Sequence, residues 1–390
     1  LSDDLSGNID LISDQAALEA ACKRLAEGEF LALDTEFHRE TTYWPLLCLV
    51  QAATADYDCM IDPLAGLDLA PLLELIDDPG RVKVFHAARQ DLEIFARLLG
   101  HVPGPIFDTQ IAAMACGLGD SISYENLVSR VLKNASVDKS SQFTDWARRP
   151  LSEKQLRYAR GDVVYLRQIY VMLREKLDQL GRTDWIEDEM ADLTDPEIYA
   201  FEPASAWKRL KLRKFKPDYL AVLANVAAWR EQVAQETDKP RQRILKDDAI
   251  QEIAQQKPRT GEAIEKLRAV PSGFARSRHG LGLVNAINAA LADPAKFAPE
   301  VERMESSGPP PGALVELLKV LLKQVADDNG VAPRLIANAA DVERLARETN
   351  PDIAALKGWR RDVFGAKALA LKSGKLALAA APEGVRVIEV

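Results

Sequence analysis

Asp34 and Glu36 stand two apart in the run Phe30-Leu31-Ala32-Leu33-Asp34-Thr35-Glu36-Phe37. On a strand, residues two apart face the same side. Two carboxylates would therefore project together from a segment that is otherwise apolar. Burying like charges side by side is costly unless a cation sits between them, although a strand end with two solvated acids would read the same way. A further carboxylate, Asp91, follows the apolar run Val82 to Phe85 through His86-Ala87-Ala88-Arg89-Gln90. It falls in the first turn of the next helix, where the helix dipole alone favours acids. Last comes Tyr158-Ala159-Arg160-Gly161-Asp162. On a helix, i and i+4 share a face, so the phenol and the carboxylate can reach one point. Gly161 inside a helix costs roughly 1 kcal/mol relative to Ala, which close helix packing would explain. Tyr158 reads equally as a core residue with its hydroxyl at the edge.

The combination is more specific than any part. Four carboxylates and a phenol suit two divalent cations, which in phosphoryl transfer sit about 3.5–4 Å apart and clamp both sides of an in-line displacement. Hard oxygen ligands favour Mg2+ or Mn2+ over zinc. A cation lowers the pKa of a bound water from about 15.7. The tyrosine, with an ordinary pKa of about 10, is better suited to orient that water than to deprotonate it.

The elements that must position these groups follow from periodicity. Residues 14 to 28 read as a helix ending at Gly28. Strand patterns follow at 30–37, Leu46 to Ala53 and Asp56 to Ile61, which suggests an antiparallel meander. Helices at Leu69 to Ile76 and Gln90 to Leu99 then alternate with short strands at Val82 to Phe85 and Ile106-Phe107, the pattern of parallel strands added through crossovers. The product is a mixed α/β sheet. A long periodic run, Ser152 to Leu180, opens with a capping box of Ser152 and Gln155. An acidic stretch from Asp184 to Pro203 reads as a linker. Beyond it everything reads as helices, in one unit over 205–295 and a smaller one beginning at 313 (domain 312–382), of similar helix order. The run Ser306 to Gly312 separates them. The domain division is thus 1–204, 205–295 and 312–382.

Composition sets limits. The chain has 390 residues, 47% hydrophobic, with net charge −9. No apolar run reaches the roughly 18 residues of a membrane helix, and Leu314 to Val325, broken by Glu316, Lys319 and Lys323, reads as amphipathic. The first residues carry Asp3, Asp4 and Asp10 rather than a basic leader. Cys22, Cys48, Cys59 and Cys116 have no CxxC spacing and lie in apolar runs, as buried thiols of a reducing cytoplasm would; zinc is disfavoured for the same reason. Residues 205–295 hold 17 Lys and Arg against 10 Asp and Glu, a net +7 that leaves −16 for the rest. A basic segment on an acidic chain suggests that one part holds a polyanion and another holds metal.

On these motifs the chain resembles the DEDD superfamily of 3′→5′ exonucleases, in its tyrosine-containing branch. LALDTEFHRETTYWPLLCLVQ, VFHAARQDLEIF and LRYARGDVVYL resemble the three exonuclease motifs of the ribonuclease D family, and FDTQIAA and VDKSSQFTDWARRPLSEKQLRYA look like the same family. AWKRLKLR with LAVLANVAAWRE, and GALVELLKVLLKQVA, are similar to its helical HRDC domains. The resemblance implies a ribonuclease H-like exonuclease domain followed by two all-α HRDC-type domains. It implies that Asp34 and Glu36 hold the first metal, with Asp34 bridging to the second. Asp91 would hold the second through water, Asp162 would complete the first site, and Tyr158 would position the attacking water. Thr35, Phe37, His86 and Gln90 would lie near the terminal nucleotide. Lys139 and Ser140 match a family stretch without an assignable role. The implied activity is release of 5′-mononucleotides from the 3′ ends of structured RNAs, tRNA precursors above all, by a cytoplasmic monomer.

Two points come from the residues themselves. Trp207, Lys208, Arg209, Lys211, Arg213, Lys214 and Lys216 form a basic cluster suited to phosphates, to which Arg276 and Arg278 add charge. Trp229, at helical spacing with Val222, Val226 and Val233, reads as core. The carboxylate chemistry does not inspect the 2′-hydroxyl, so a DNA exonuclease of proofreading type is the alternative. A non-catalytic RNA-binding protein is a further one, against which stand all five expected catalytic residues.

Overall fold

A computed structural model describes residues 9–132, 139–141, 144–301, 311–382 and 384–390. The early acids Asp3 and Asp4 and most of the Ser306 to Gly312 run lie outside the described residues. The chain order is β1 (Leu11–Ile12), α1 (Gln15–Leu25), β2 (Phe30–His38), β3 (Leu46–Ala53), β4 (Asp58–Ile61), α2 (Ala70–Asp77), β5 (Val82–Phe85), α3 (Arg89–Leu99), β6 (Ile106–Asp108), α4 (Thr109–Ala115), α5 (Tyr124–Val131) and α6 (Glu153–Leu180). Then follow α7 (Glu187–Leu193), α8 (Pro196–Tyr199), α9 (Pro217–Glu236), α10 (Arg241–Ile244), α11 (Asp247–Gln256), α12 (Gly261–Glu265), α13 (Gly280–Ala292) and α14 (Pro294–Phe297). The last elements are α15 (Gly312–Asn329), α16 (Pro333–Ile336), α17 (Ala339–Arg347), α18 (Gly358–Arg360), α19 (Ala366–Lys372), β7 (Leu376–Ala381) and β8 (Gly384–Glu389).

The main sheet runs β1-β4-β3-β2-β5-β6. β3 and β4 are antiparallel, whereas β1 with β4, β2 with β5 and β5 with β6 are parallel. This is the expected mixed sheet, with β1 as an unforeseen edge. Only two residues long, β1 is too short to show a period. Helix α6 begins at the expected capping box, Ser152 with Gln155, and covers one face of the sheet. Val163, Leu166 and Tyr170 pack on Phe30, Ala32, Ala53 and Val84. Arg160 ties the helix down through Asp58 on β4, at 2.7 Å with both side chains nearly buried.

By contacts the chain falls into two compact units, grouped differently from the consecutive spans 1–204, 205–295 and 312–382. One holds 1–36, 47–198 and 304–390; the other holds 37–46 and 199–303. In the first, helices α15 to α19 share a hydrophobic core with α4, α5 and α6: Leu318, Leu321, Val325, Leu345 and Phe364 join Ala112, Leu127, Ile169 and Leu173. Polar contacts follow the same seam. Arg182 donates to the carbonyls of Ala115 (2.7 Å) and Gly330 (3.0 Å), and Ala332 N donates to Met114 O (2.9 Å). Gly117 is required here, because a Cβ on it would collide with the Gly330 carbonyl.

The stretch from Asp184 to Pro203, expected to be a loose linker, folds into short helices. Its acids hide apolar anchors. Trp185 stacks on Trp359 with ring centroids 4.0 Å apart and planes 5° apart, and Glu189 pairs with the buried Arg360.

In the second unit, α9 forms the central helix of a core with α11 and α13. Trp229 packs at the edge of this core, as its spacing predicted. Residues 37–46 join this unit through Tyr43, whose hydroxyl donates to the fully buried Glu231. Arg241 (2.6 Å) and Arg209 (2.9 Å) also hold Glu231. Burial alone pushes the Glu231 carboxyl up. The hydrogen bonds from Arg241 and Tyr43 and the two arginine charges outweigh it and hold the group below its ordinary range.

The helices of the two helical segments follow one order. Helix α9 has 20 residues, then come the four-residue α10 after Pro240 and the 10-residue α11. Helix α15 has 18 residues, then come the four-residue α16 starting at Pro333 and the 9-residue α17. The second segment closes with the β7–β8 hairpin, which helical periodicity did not foresee.

Because α15–α19 complete a shared core, a chain ending at Arg303 would expose the apolar faces of α4, α5 and α6. We expect the truncated chain to melt well below the full chain and to bind a hydrophobic dye. A truncated form melting within about 2 °C of the full chain would contradict the shared core.

Candidate active site

Strand β2 carries the first two carboxylates. Ala32 faces α6, so by alternation Asp34 and Glu36 do too. Helix α6 brings Asp162 to meet them. One carboxylate oxygen from each of Asp34, Glu36 and Asp162 lies within 4.8 Å of the others. The Asp162 backbone is held from a third direction, since Tyr124 on α5 donates to the carbonyls of Gly161 (3.0 Å) and Asp162 (2.6 Å). Gly161 is not forced by packing. A Cβ there would make only ordinary contact with Tyr165, at 3.7 Å.

Asp91 stands in the first turn of α3, as expected. It lies outside the close triad, and Thr35, between Asp34 and Glu36, reaches it: the hydroxyl donates to Asp91 Oδ1 at 2.5 Å. The turn before α3 is clamped by Asp108. Its two oxygens accept from Ala87 N (3.0 Å) and Ala88 N (2.9 Å), and Oδ1 also accepts from Gln110 N (2.8 Å). Ala87 adopts φ +58°, a left-handed conformation unfavourable for a residue with a Cβ. Asp108 holds that turn and so sets where Asp91 begins its helix. In the sequence Asp108 stands out only as part of FDTQIAA. Its three backbone partners are about 20 residues away or on its own helix, and no local pattern reveals the former.

The electrostatics mark the site. Burial, then the charges of Asp162, Asp91 and Glu36, raise the Asp34 carboxyl well above its ordinary range. Burial, then Asp162 and Asp91, push Glu36 up to about 9. Burial pushes Asp91 up to about 7 despite the hydrogen bond from Thr35. Burial and Asp91 raise Asp162. Among the described residues, no Lys or Arg stands with the groups that shift these four. One oxygen of Asp162, Oδ2, is buried without a partner among the described residues. This differs from Glu231, which the same chain neutralises with two arginines. A cluster of half-buried and buried acids with an orphaned oxygen and no basic partner among the described residues fits a divalent cation, and Asp34, Glu36 and Asp162 are placed to hold one.

Tyr158 lies one turn before Asp162, with its ring 6.0 Å from that of Trp146. Burial, then the charges of Asp162, Glu36 and Asp34, raise its phenol, so it stays protonated at working pH. A phenol kept in that state is a hydrogen-bond donor rather than a base.

Of the other expected residues, some are engaged internally and others are exposed. The His86 ring uses both nitrogens internally, on the Thr109 hydroxyl (3.0 Å) and the Ile122 carbonyl (3.1 Å). Gln90 is exposed, and Thr35 is buried on Asp91. Phe37 belongs to the second unit. There Lys208, Arg209, Lys211 and Arg213 are exposed, but Arg209 serves Glu231 and Arg213 lies 3.7 Å from Asp248. The four cysteines are buried free thiols. No helix among the described residues is long and apolar enough to cross a membrane.

Comparison with known proteins identifies the family. A family model described as 3′→5′ exonuclease matches residues 9–178, and the HRDC domain model matches 219–287. Ribonuclease D of Nitrobacter hamburgensis is 48% identical over 98% of this chain and 99% of its own. Ribonuclease D of Gluconacetobacter diazotrophicus is 47% identical, over 97% of this chain and 95% of its own. The crystal structure of Escherichia coli RNase D, described as an exoribonuclease involved in structured RNA processing, superimposes with a TM-score of 0.80 at 28% identity, covering 94% of this chain and 99% of that one. The chain belongs to the ribonuclease D family of 3′→5′ exoribonucleases.

Proposed function

We propose that this chain trims the 3′ ends of structured RNAs, tRNA precursors among them, releasing 5′-mononucleotides with the help of two Mg2+ or Mn2+ ions. The observation that carries the reading is the convergence of Asp34, Glu36 and Asp162 within 4.8 Å, with Asp91 tethered beside them by Thr35. The structured-RNA substrate is supported by the description of the Escherichia coli relative, and tRNA precursors by the family resemblance.

The roles follow from the chemistry. Asp34, Glu36 and Asp162 would hold one cation, and Asp34 with Asp91 the other. Bound cations would activate the attacking water and neutralise charge on the scissile phosphate. Tyr158, kept protonated, would orient that water through its hydroxyl. The exposed Lys208, Lys211 and Arg213, with Arg209 in part, would meet RNA phosphates. Residues 312–382 are read as a second, diverged HRDC-like domain behind 1–204 and 205–295, on the strength of the repeated helix order. The buried free cysteines suit a cytoplasmic protein, acting as a monomer.

The test is a time course on 5′-labelled RNA with a single-stranded 3′ extension beyond a hairpin. One-nucleotide steps from the 3′ end, abolished by EDTA, are expected. Clean digestion of matched DNA without cleavage of RNA would overturn the reading. Asp34→Asn and Asp162→Asn should each lower kcat by at least about 100-fold, since loss of a cation ligand removes transition-state stabilisation of several kcal/mol.

The carboxylate shifts also set a pH dependence for the metal-free protein. In the unfolded chain these acids lose their protons near about pH 4. In the fold they keep them up to about 7 for Asp91 and about 9 for Glu36. The folded state therefore binds more protons across that window, and stability falls as pH rises through it. Cations compete with those protons, so the gain in Tm on adding Mg2+ should be larger near about pH 8.5 than near about pH 6. Equal gains at both, by thermal melting, would exclude a carboxylate site.

Replacing Lys208 or Lys211 by Ala should weaken binding to all RNA sequences alike. Each change should lower the slope of log affinity against log salt by about 1, read by fluorescence anisotropy. An unchanged slope would remove that residue from the RNA interface.

A further inference from the structure

Gln51, on β3, is fully buried, and neither its carboxamide oxygen nor its nitrogen has a partner among the described residues. A buried amide without partners costs stability, so an apolar residue of the same size would suit a purely structural position better. Gln51 therefore calls for a functional explanation, and its place on the sheet supplies one.

The register puts it beside the catalytic acids. Gln51 pairs with Met60 across β3 and β4, and Ala53 pairs with Asp58. Residues directly opposite, and residues two apart, share a face. Asp58 bonds Arg160 of α6, so Gln51 lies on the face that α6 covers. The level along α6 is also set. Ala53 and Ala32 pack beneath Val163 and Leu166, while Met60 packs with Trp146 and Ala159, and with Tyr158 at the margin. One step from Ala53 to Gln51 thus moves toward the start of α6. One step from Ala32 to Asp34, on the neighbouring strand β2, moves the same way, toward Asp162. The unpartnered amide and the unpartnered Asp162 Oδ2 occupy the same region of one sheet face.

We propose that Gln51 is a positioning residue of the catalytic centre. Its Nε2 donates to a carboxylate oxygen or water of the cation-loaded cluster, and its Oε1 accepts from water there. A neutral amide suits this place. It adds no charge to acids that already repel one another, and it offers a donor and an acceptor where a lysine would compete with the cation. This inference rests on the metal-site reading above.

The test uses the full chain with Gln51→Met, and Gln51→Leu as a second variant. Mn2+ binding is measured by calorimetry, Tm in EDTA by melting, and kcat and KM on the labelled RNA. The expected result is a Tm in EDTA equal to or above wild type, Mn2+ affinity about 10-fold weaker, and kcat lowered with KM for RNA unchanged. Wild-type Mn2+ affinity in both variants would overturn the proposal. So would a large loss of Tm in EDTA by both, which would make Gln51 a packing residue. Asp34→Asn serves as the control. If it binds Mn2+ as wild type does, the metal-site reading fails and this inference with it. If it loses binding while Gln51→Met retains it, only the inference fails.

Discussion

Four carboxylates drawn from β2, α3 and α6 repel one another in a largely buried pocket, and much of the surrounding structure serves to hold them there. Left to relax, such groups would separate or take up protons, and the raised positions of Asp34, Glu36, Asp91 and Asp162 express that tendency. The fold opposes it with hydrogen bonds that bring no positive charge to the cluster. Thr35 fixes Asp91, Tyr124 pins the α6 backbone at Asp162, and Asp108 clamps the turn that launches α3. None of these partners neutralises charge. They fix geometry and leave the charge for a cation.

The second unit shows the opposite solution to the same problem. Glu231 is as deeply buried as any residue in the chain, but two arginines and a tyrosine surround it. Its carboxyl lies below the ordinary range although burial alone would raise it. One buried acid is thus saturated with donors and serves packing, while the four carboxylates have no cationic partner among the described residues. The same network draws residues 37–46 into the helical unit, although the strand before them carries Asp34 and Glu36.

The C-terminal helices make a comparable point about domains. In sequence they follow a Pro/Gly/Ser run and repeat the helix order of the first HRDC segment, which suggests a module on its own. In the structure their apolar faces meet those of α4, α5 and α6 in one core, and Arg182 bridges carbonyls of both. A segment that is separate in chain order is not thereby separate in packing, because its hydrophobic face takes the largest apolar surface within reach.

What the sequence alone determined is what local spacing encodes. The two-residue step of Asp34 and Glu36, the first-turn place of Asp91, the four-residue step of Tyr158 and Asp162 and the capping box of α6 depend only on strand and helix periods. Element bounds such as 46–53 and 82–85 were legible for the same reason. Tertiary structure decided whatever needs a distant partner. It made Asp108 the clamp of another turn, tied His86 to Thr109 and Ile122, turned an acidic stretch into helices anchored by Trp185, and left Gln51, on the face that α6 covers, without a partner among the described residues. Hydrogen bonds and core contacts across tens of residues have no period in the chain, and only the folded arrangement selects among the partners that composition would allow.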